Sequence, residues 1–188
     1  MSILKMVNEK QTDRKRLYDK FDYLTAASKT NNGKLVGTTN CISRYAAEEM
    51  LTVKKIHHKC GGRCWIEIVL SMTPDEASRP DKEYMEIAKA VADIFEDFQC
   101  LYSVHLDARI RHVHILLNTV SIRNGKKFTQ SPSGLQRLKQ KTNDILLKYG
   151  FDIIKTGVSE MIDRRDHSED ENFDYLEIDE NEPIYKPD

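Results

Sequence analysis

The 188-residue chain reads as an α+β fold: a central, mostly antiparallel β-sheet with helices packed on one face. Three observations lead there. Val113, Ile115 and Leu117 alternate with His112, His114, Leu116 and Asn118, the period-2 pattern of a strand with one face in the core. Residues 81–98 carry Tyr84, Ile87, Ala88, Val91, Ile94, Phe95 and Phe98 at helical spacing. Hairpin signals also outnumber simple strand–helix alternation, which favours antiparallel pairing. Helices on one face would leave the other free for polar residues.

The elements follow in order. Ile3 to Val7 reads as an opening strand, and residues 13–26 form a helix with the stripe Leu17, Phe21 and Leu24. Ser28 through Asn40 has the Ser/Asn/Gly chemistry of a loop. Ser43 is placed to cap a helix running to about His58, with Ala46, Met50 and Val53 along one side. Gly61-Gly62 breaks the chain before a strand from Cys64 to Met72, ended by Thr73-Pro74. After helix 81–98 come strands 100–107 and 111–122, with a tight reversal near Ala108-Arg109. Asn124-Gly125 between Ile122 and Phe128 is a hairpin turn. Residues 133–149 are helical, and Gly150 to Ile154 reads as a short strand.

Size and composition narrow the classes. A chain of this length builds one domain with a substantial core. No apolar run approaches the ~20 residues of a membrane span, and charge follows Met1–Met6 too soon for a signal peptide. Cys41, Cys60, Cys64 and Cys100 lack disulfide-framework spacing, so a cytoplasmic location is expected. The net charge of −1 conceals a division. Residues 160–188 carry twelve acids and three bases, leaving 26 bases and 18 acids in residues 1–159. We therefore expect a basic domain over 1–159, suited to a phosphate-bearing partner, and an acidic extension or linker over 160–188.

The richest segment is His105-Leu-Asp107-Ala-Arg-Ile-Arg-His112-Val-His114-Ile-Leu-Leu-Asn118. His112 and His114, two apart on a strand, face the same way. A reversal centred on Ala108-Arg109 puts His105 across from His112, with Cβ atoms about 5 Å apart. Ala-Arg is a poor two-residue turn, so a one-residue slip of register stays open. Three neutral imidazoles can collect one metal ion and leave positions open on it, as catalytic sites require. In a basic domain the natural task is polarising a phosphate oxygen. Tyr23 is a candidate nucleophile: at 100° per residue it lies well over 90° from the Leu17/Phe21/Leu24 stripe, so the core does not require it.

The pattern H-x-D-x4-H-x-H-x3-N closely resembles the third motif of the P-class mobilisation relaxases of the HUH endonuclease superfamily. Asp22-Tyr23-Leu24 with Lys29-Thr30, Asn40-Cys41, Ala46 to Met50, Gly61-Gly62 and Ser71 to Pro74 follow in the family's order, over roughly residues 1–130. The resemblance implies metal-dependent nicking and strand transfer on single-stranded DNA at an origin of transfer, for conjugative mobilisation. Tyr23 would form a 5′-phosphotyrosine intermediate. His105, His112 and His114 would hold Mg²⁺ or Mn²⁺, with Zn²⁺ also compatible. Accessory relaxosome and coupling proteins would be partners.

Asp107, in the same motif, is expected to fix an imidazole's tautomer. Glu67, on the strand after Cys64, could orient a histidine, activate the tyrosine or simply face water. Asn118 is expected to contact the ligand shell or DNA. Lys29, Thr30, Lys34, Arg109, Arg111, Lys126 and Lys127 are the expected DNA contacts. Two rival readings stay open. A transposase or replication initiator of the superfamily would use a later tyrosine, for which Tyr149 is the candidate, although it falls on the buried helix stripe. A non-catalytic DNA-binding module would use His57, His58, Cys60 and Cys64 as a structural zinc cluster.

Overall fold

The computed structural model describes residues 1–7 and 13–155. The acidic stretch 160–188, and the boundary expected at 159, lie outside those residues. Five strands form one sheet: β1 (Ile3–Val7), β2 (Val36–Thr39), β3 (Trp65–Ser71), β4 (Cys100–His105) and β5 (His112–Asn118). Their order is β1-β3-β5-β4-β2, and each neighbouring pair is antiparallel. β5 is thus central, hydrogen-bonded on both sides by β3 and β4.

Four α-helices cover the sheet: α1 (Arg14–Thr25), α2 (Ala46–Ile56), α3 (Asp81–Ala92) and α4 (Pro132–Lys148). The α+β antiparallel architecture is as expected, but helices lie on both faces. α3 and α4 cover Ile66, Ile68, Leu70, Val104, Val113, Ile115 and Leu117 with Tyr84, Ile87, Val91, Leu138 and Leu146. α1 and α2 cover Trp65, Leu101 and Leu116 on the opposite face with Leu17, Leu24, Ala47 and Met50. The cause is visible in β5: Leu116 shares a face with His112 and His114, so that face is only half polar and its apolar half must be buried. Fully enclosing a residue such as Leu116 is worth about 1.5–3 kcal/mol, more than an open polar face would return.

Local chemistry sets the ends of the elements. Asp13 caps α1 by accepting from the Arg16 amide at 2.9 Å, and Ser131 caps α4 by accepting from the Gly134 amide at 3.0 Å. The expected Ser43 cap is not formed, because Ser43–Tyr45 is a 3-10 turn ahead of α2. The expected helix 81–98 becomes α3 plus a 3-10 turn at Asp93–Phe95, which still buries Phe95. β2 falls where a loop was expected. Its Gly37 lies beneath Tyr102, where an added Cβ would stand 2.4 Å from the ring, so the residue that reads as a loop signal is required for the pairing. The β4–β5 reversal is a six-residue loop, 106–111, rather than a tight turn. Asn124-Gly125 does turn the chain, with Gly125 at φ +68°, but only Val120 and Lys127 pair across it. Residues 150–154 contribute one bridge, Ser2 to Ile154, and no strand.

Candidate metal centre and its tyrosine

His105 pairs with His112 across β4 and β5, the register expected from the sequence. Ring centroids lie 5.4 Å apart for His105–His112, 4.3 Å for His105–His114 and 4.8 Å for His112–His114. One nitrogen from each ring lies within 4.8 Å of the others. Among the described residues this is the one such group of three or more His, Cys, Asp or Glu side chains.

The opposite nitrogens are all engaged. His105 Nε2 is 3.1 Å from the Leu24 carbonyl, and His112 Nδ1 is 3.1 Å from the Ile110 carbonyl. His114 Nδ1 is 2.8 Å from Glu67 Oε1. Carbonyls and a carboxylate accept only, so each of these nitrogens carries the proton. In the neutral form of each ring the lone pair resides on His105 Nδ1, His112 Nε2 and His114 Nε2. His105 Nδ1 and His114 Nε2 are buried without a protein partner. An orphaned buried acceptor carries a desolvation cost of ~1–3 kcal/mol unless something binds it. Burial, reinforced by its histidine neighbours, pushes the His105 pKa down to about 4, and burial also lowers that of His112. Neutral rings with inward lone pairs are what a divalent cation requires.

Glu67 is buried on β3 and bridges two partners. Its Oε1 meets His114, and its Oε2 lies 3.0 Å from Lys20 Nζ on α1. Burial pushes the Glu67 carboxyl upward, but the His114 hydrogen bond and the Lys20 charge outweigh it and hold the pKa below the usual range. Glu67 therefore takes the orienting position expected of Asp107. Asp107, in the six-residue loop, instead accepts from Lys29 Nζ at 2.7 Å.

Tyr23 sits on the histidine face of α1, 45% exposed. Its ring packs edge-on against His105 and His114, with centroids 5.5 and 6.2 Å apart. Lys29 Nζ lies 4.1 Å from the Tyr23 ring centroid. Tyr23, the three histidines, Glu67, Lys29 and Asp107 are thus brought together. Lys34 and Arg109 are exposed on flanking loops.

Several expected contacts are engaged within the protein or lie away from the histidines. Thr30 is fully buried and donates to the Ala26 carbonyl, holding the loop after α1. Arg111 pairs with Asp81 and donates to the Arg79 carbonyl at 3.0 Å. Asn118 is buried and binds Gln99 at 2.9 Å and the Met50 carbonyl at 3.3 Å, at the end of β5 away from the histidines. Lys126 and Lys127 belong to the turn beyond that same end, where Lys127 donates to the Gly61 carbonyl. Polarity marked these residues, but sequence could not show which way they point.

The rival sites do not form. Tyr149 closes α4 and packs against the core on the sheet face opposite the histidines. His57, His58, Cys60 and Cys64 do not converge into a ligand set, Cys60 being exposed and Cys64 buried. One residue was missed. Lys20 lies three positions before Tyr23, a spacing that puts both on one side of α1.

Comparison with known proteins places the chain in a family. The family model described as relaxase, MobA/VirD2-like, nuclease domain, matches residues 23–151, a span holding Tyr23 and all three histidines. Two Staphylococcus aureus proteins named Rlx are 23% identical, one over 116 residues and one over 124. These alignments cover 61% and 65% of this chain but only 34% and 38% of the relatives, so the chain spans roughly a third of their length. A solved structure reported under "Molecular Basis of Vancomycin Resistance Transfer in Staphylococcus aureus" superposes with a TM-score of 0.53 at 13% identity. It covers 84% of this chain and 98% of that one, a likeness of fold. The chain belongs to the MobA/VirD2-like relaxase nuclease domain family.

Proposed function

We propose that the chain nicks and rejoins single-stranded DNA at an origin of transfer, using Tyr23 as nucleophile, for conjugative mobilisation. The observation that carries this reading is a half-exposed phenol packed against His105 and His114, whose inward nitrogens are buried and unpaired. His105, His112 and His114 would hold Mg²⁺ or Mn²⁺, which supplies charge neutralisation at a phosphate oxygen.

The chain's own groups do the rest. The Tyr23 oxygen bonds to phosphorus as the bond from phosphorus to the 3′ oxygen breaks. The phenol proton leaves to water, to which the ring edge is open, and the departing 3′ oxygen takes up a proton. One phosphodiester is exchanged for another, so the 5′-phosphotyrosine conserves bond energy and the 3′-hydroxyl can reverse the step. Lys29, held in place by Asp107, sets its ammonium against the negative charge that develops on the phenol oxygen. Glu67 keeps His114 in the tautomer that presents Nε2 inward. Lys34 and Arg109 contact the strand's phosphates. Residues 1–159 act as the nuclease domain, in the cytoplasm, with relaxosome accessory and coupling proteins as partners.

The test uses single-stranded oligonucleotides tiled across the surrounding genetic element, incubated with Mn²⁺. A covalent, SDS-resistant protein–DNA adduct is expected from the parent chain and none from Tyr23→Phe. Adducts that persist in Tyr23→Phe and vanish in Tyr149→Phe would overturn the assignment.

A further inference from the structure

The outer nitrogens of two candidate ligands lead back to the helix that carries the tyrosine. His105 Nε2–H donates directly to the Leu24 carbonyl, the residue after Tyr23. His114 Nδ1–H donates to Glu67, whose other oxygen is bound by Lys20, three residues before Tyr23. α1 is therefore tied on both sides of Tyr23 to the outer shell of the same site.

We propose that this double tether links metal loading to placement of the nucleophile, with Lys20 as the positioning residue; the linkage rests on the metal reading above. An imidazole whose inward nitrogen binds a cation becomes a stronger donor at its outer N–H. Cation binding then tightens the His105–Leu24 and His114–Glu67 bonds together, and α1 with them. Linkage is reciprocal: whatever fixes α1 favours the loaded site. Lys20 is a side-chain link from α1 to Glu67. It is 19% exposed against a 4% exposed carboxylate, so the pair is mostly shielded from water. Tyr23 then stands in register with the phosphate only when the cation is present, which suppresses unproductive attack by an empty site.

Hydrogen exchange on the full chain, with and without Mn²⁺ and without DNA, tests this independently of cleavage. Mn²⁺ should slow exchange of the 14–25 amides several-fold in the parent and in Tyr23→Phe. Lys20→Met should keep Mn²⁺ binding within a few-fold yet lose most of that slowing, and Lys20→Arg should restore it. Unfolding midpoints of the variants identify any loss of fold; if Lys20→Met fails to fold, Lys20→Gln, which stays polar but lacks the charge, takes its place with the same expected loss of slowing. Exchange in α1 that ignores Mn²⁺ while Mn²⁺ binds, or full slowing in Lys20→Met, would overturn the linkage alone. A parent chain that binds no Mn²⁺ contradicts the metal reading and the linkage with it.

Discussion

Replacing Glu67 by Gln probes the site at its most constrained point. The carboxylate has two acceptor oxygens, each already committed: Oε1 to His114 and Oε2 to Lys20. Gln has one acceptor oxygen and one amide donor, so one of these two bonds must be lost. If the oxygen stays with His114, the amide faces the Lys20 ammonium, donor against donor. If it turns to Lys20, the amide confronts His114 and favours the tautomer with its proton on Nε2, which blocks the inward lone pair. Lys20 retains enough exposure to reach water, so the stability loss should stay near 1–2 kcal/mol, at the low end for a broken charged hydrogen bond. The larger effect is on metal. Loss of an orienting partner typically weakens metal binding by about 10–100-fold, or roughly 1.4–2.7 kcal/mol. Titration calorimetry with Mn²⁺ and urea unfolding measure the two quantities separately. Parent-like Mn²⁺ affinity in Glu67→Gln would refute the orienting role.

Two further outcomes follow from other parts of the structure. His112→Ala should abolish tight Mn²⁺ binding while Cys64→Ser leaves it unchanged, as judged by metal content after gel filtration; the reverse would revive the zinc-cluster reading. Lys54, buried at 2% exposure and bound to Thr119 Oγ1 at 2.8 Å, has its pKa pushed down by burial to about 8 from an ordinary 10.5. The unfolded chain therefore binds the extra proton between those values, so this group's penalty on folding is full below pH 8 and fades as pH rises to 10.5. Lys54→Met should accordingly be more stable than the parent at pH 7, with the gap narrowing toward pH 10 in denaturant melts. A gap that widens with pH would contradict this.

Much of the site was legible in the sequence because strand periodicity is rigid. Once β4 and β5 are strands, His112 and His114 must share a face, and the pairing of His105 with His112 depends only on where the reversal is centred. The reversal's length did not show, since Leu106 to Arg111 lacks turn chemistry that selects two residues over six. Asp107 was expected at an imidazole for that reason, and the longer loop sets it against Lys29. β2 was hidden because Gly37 and two threonines resemble a loop until Tyr102 is seen lying over the glycine. The second helical layer was hidden because Trp65, Leu101 and Leu116 come from three separate strands and become one apolar patch only when the sheet is assembled. Thr30, Arg111 and Asn118 show a limit of another kind, since side chains that serve buried carbonyls and those that meet DNA have the same composition.

An anomalous-scattering crystal structure of the chain grown with Mn²⁺ is the most direct measurement of the central claim. The expected result is one manganese peak bonded to His105 Nδ1, His112 Nε2 and His114 Nε2, with the Tyr23 ring against the cluster. A peak held by other residues, or imidazoles turned so that their Leu24, Ile110 and Glu67 bonds are broken, would contradict it.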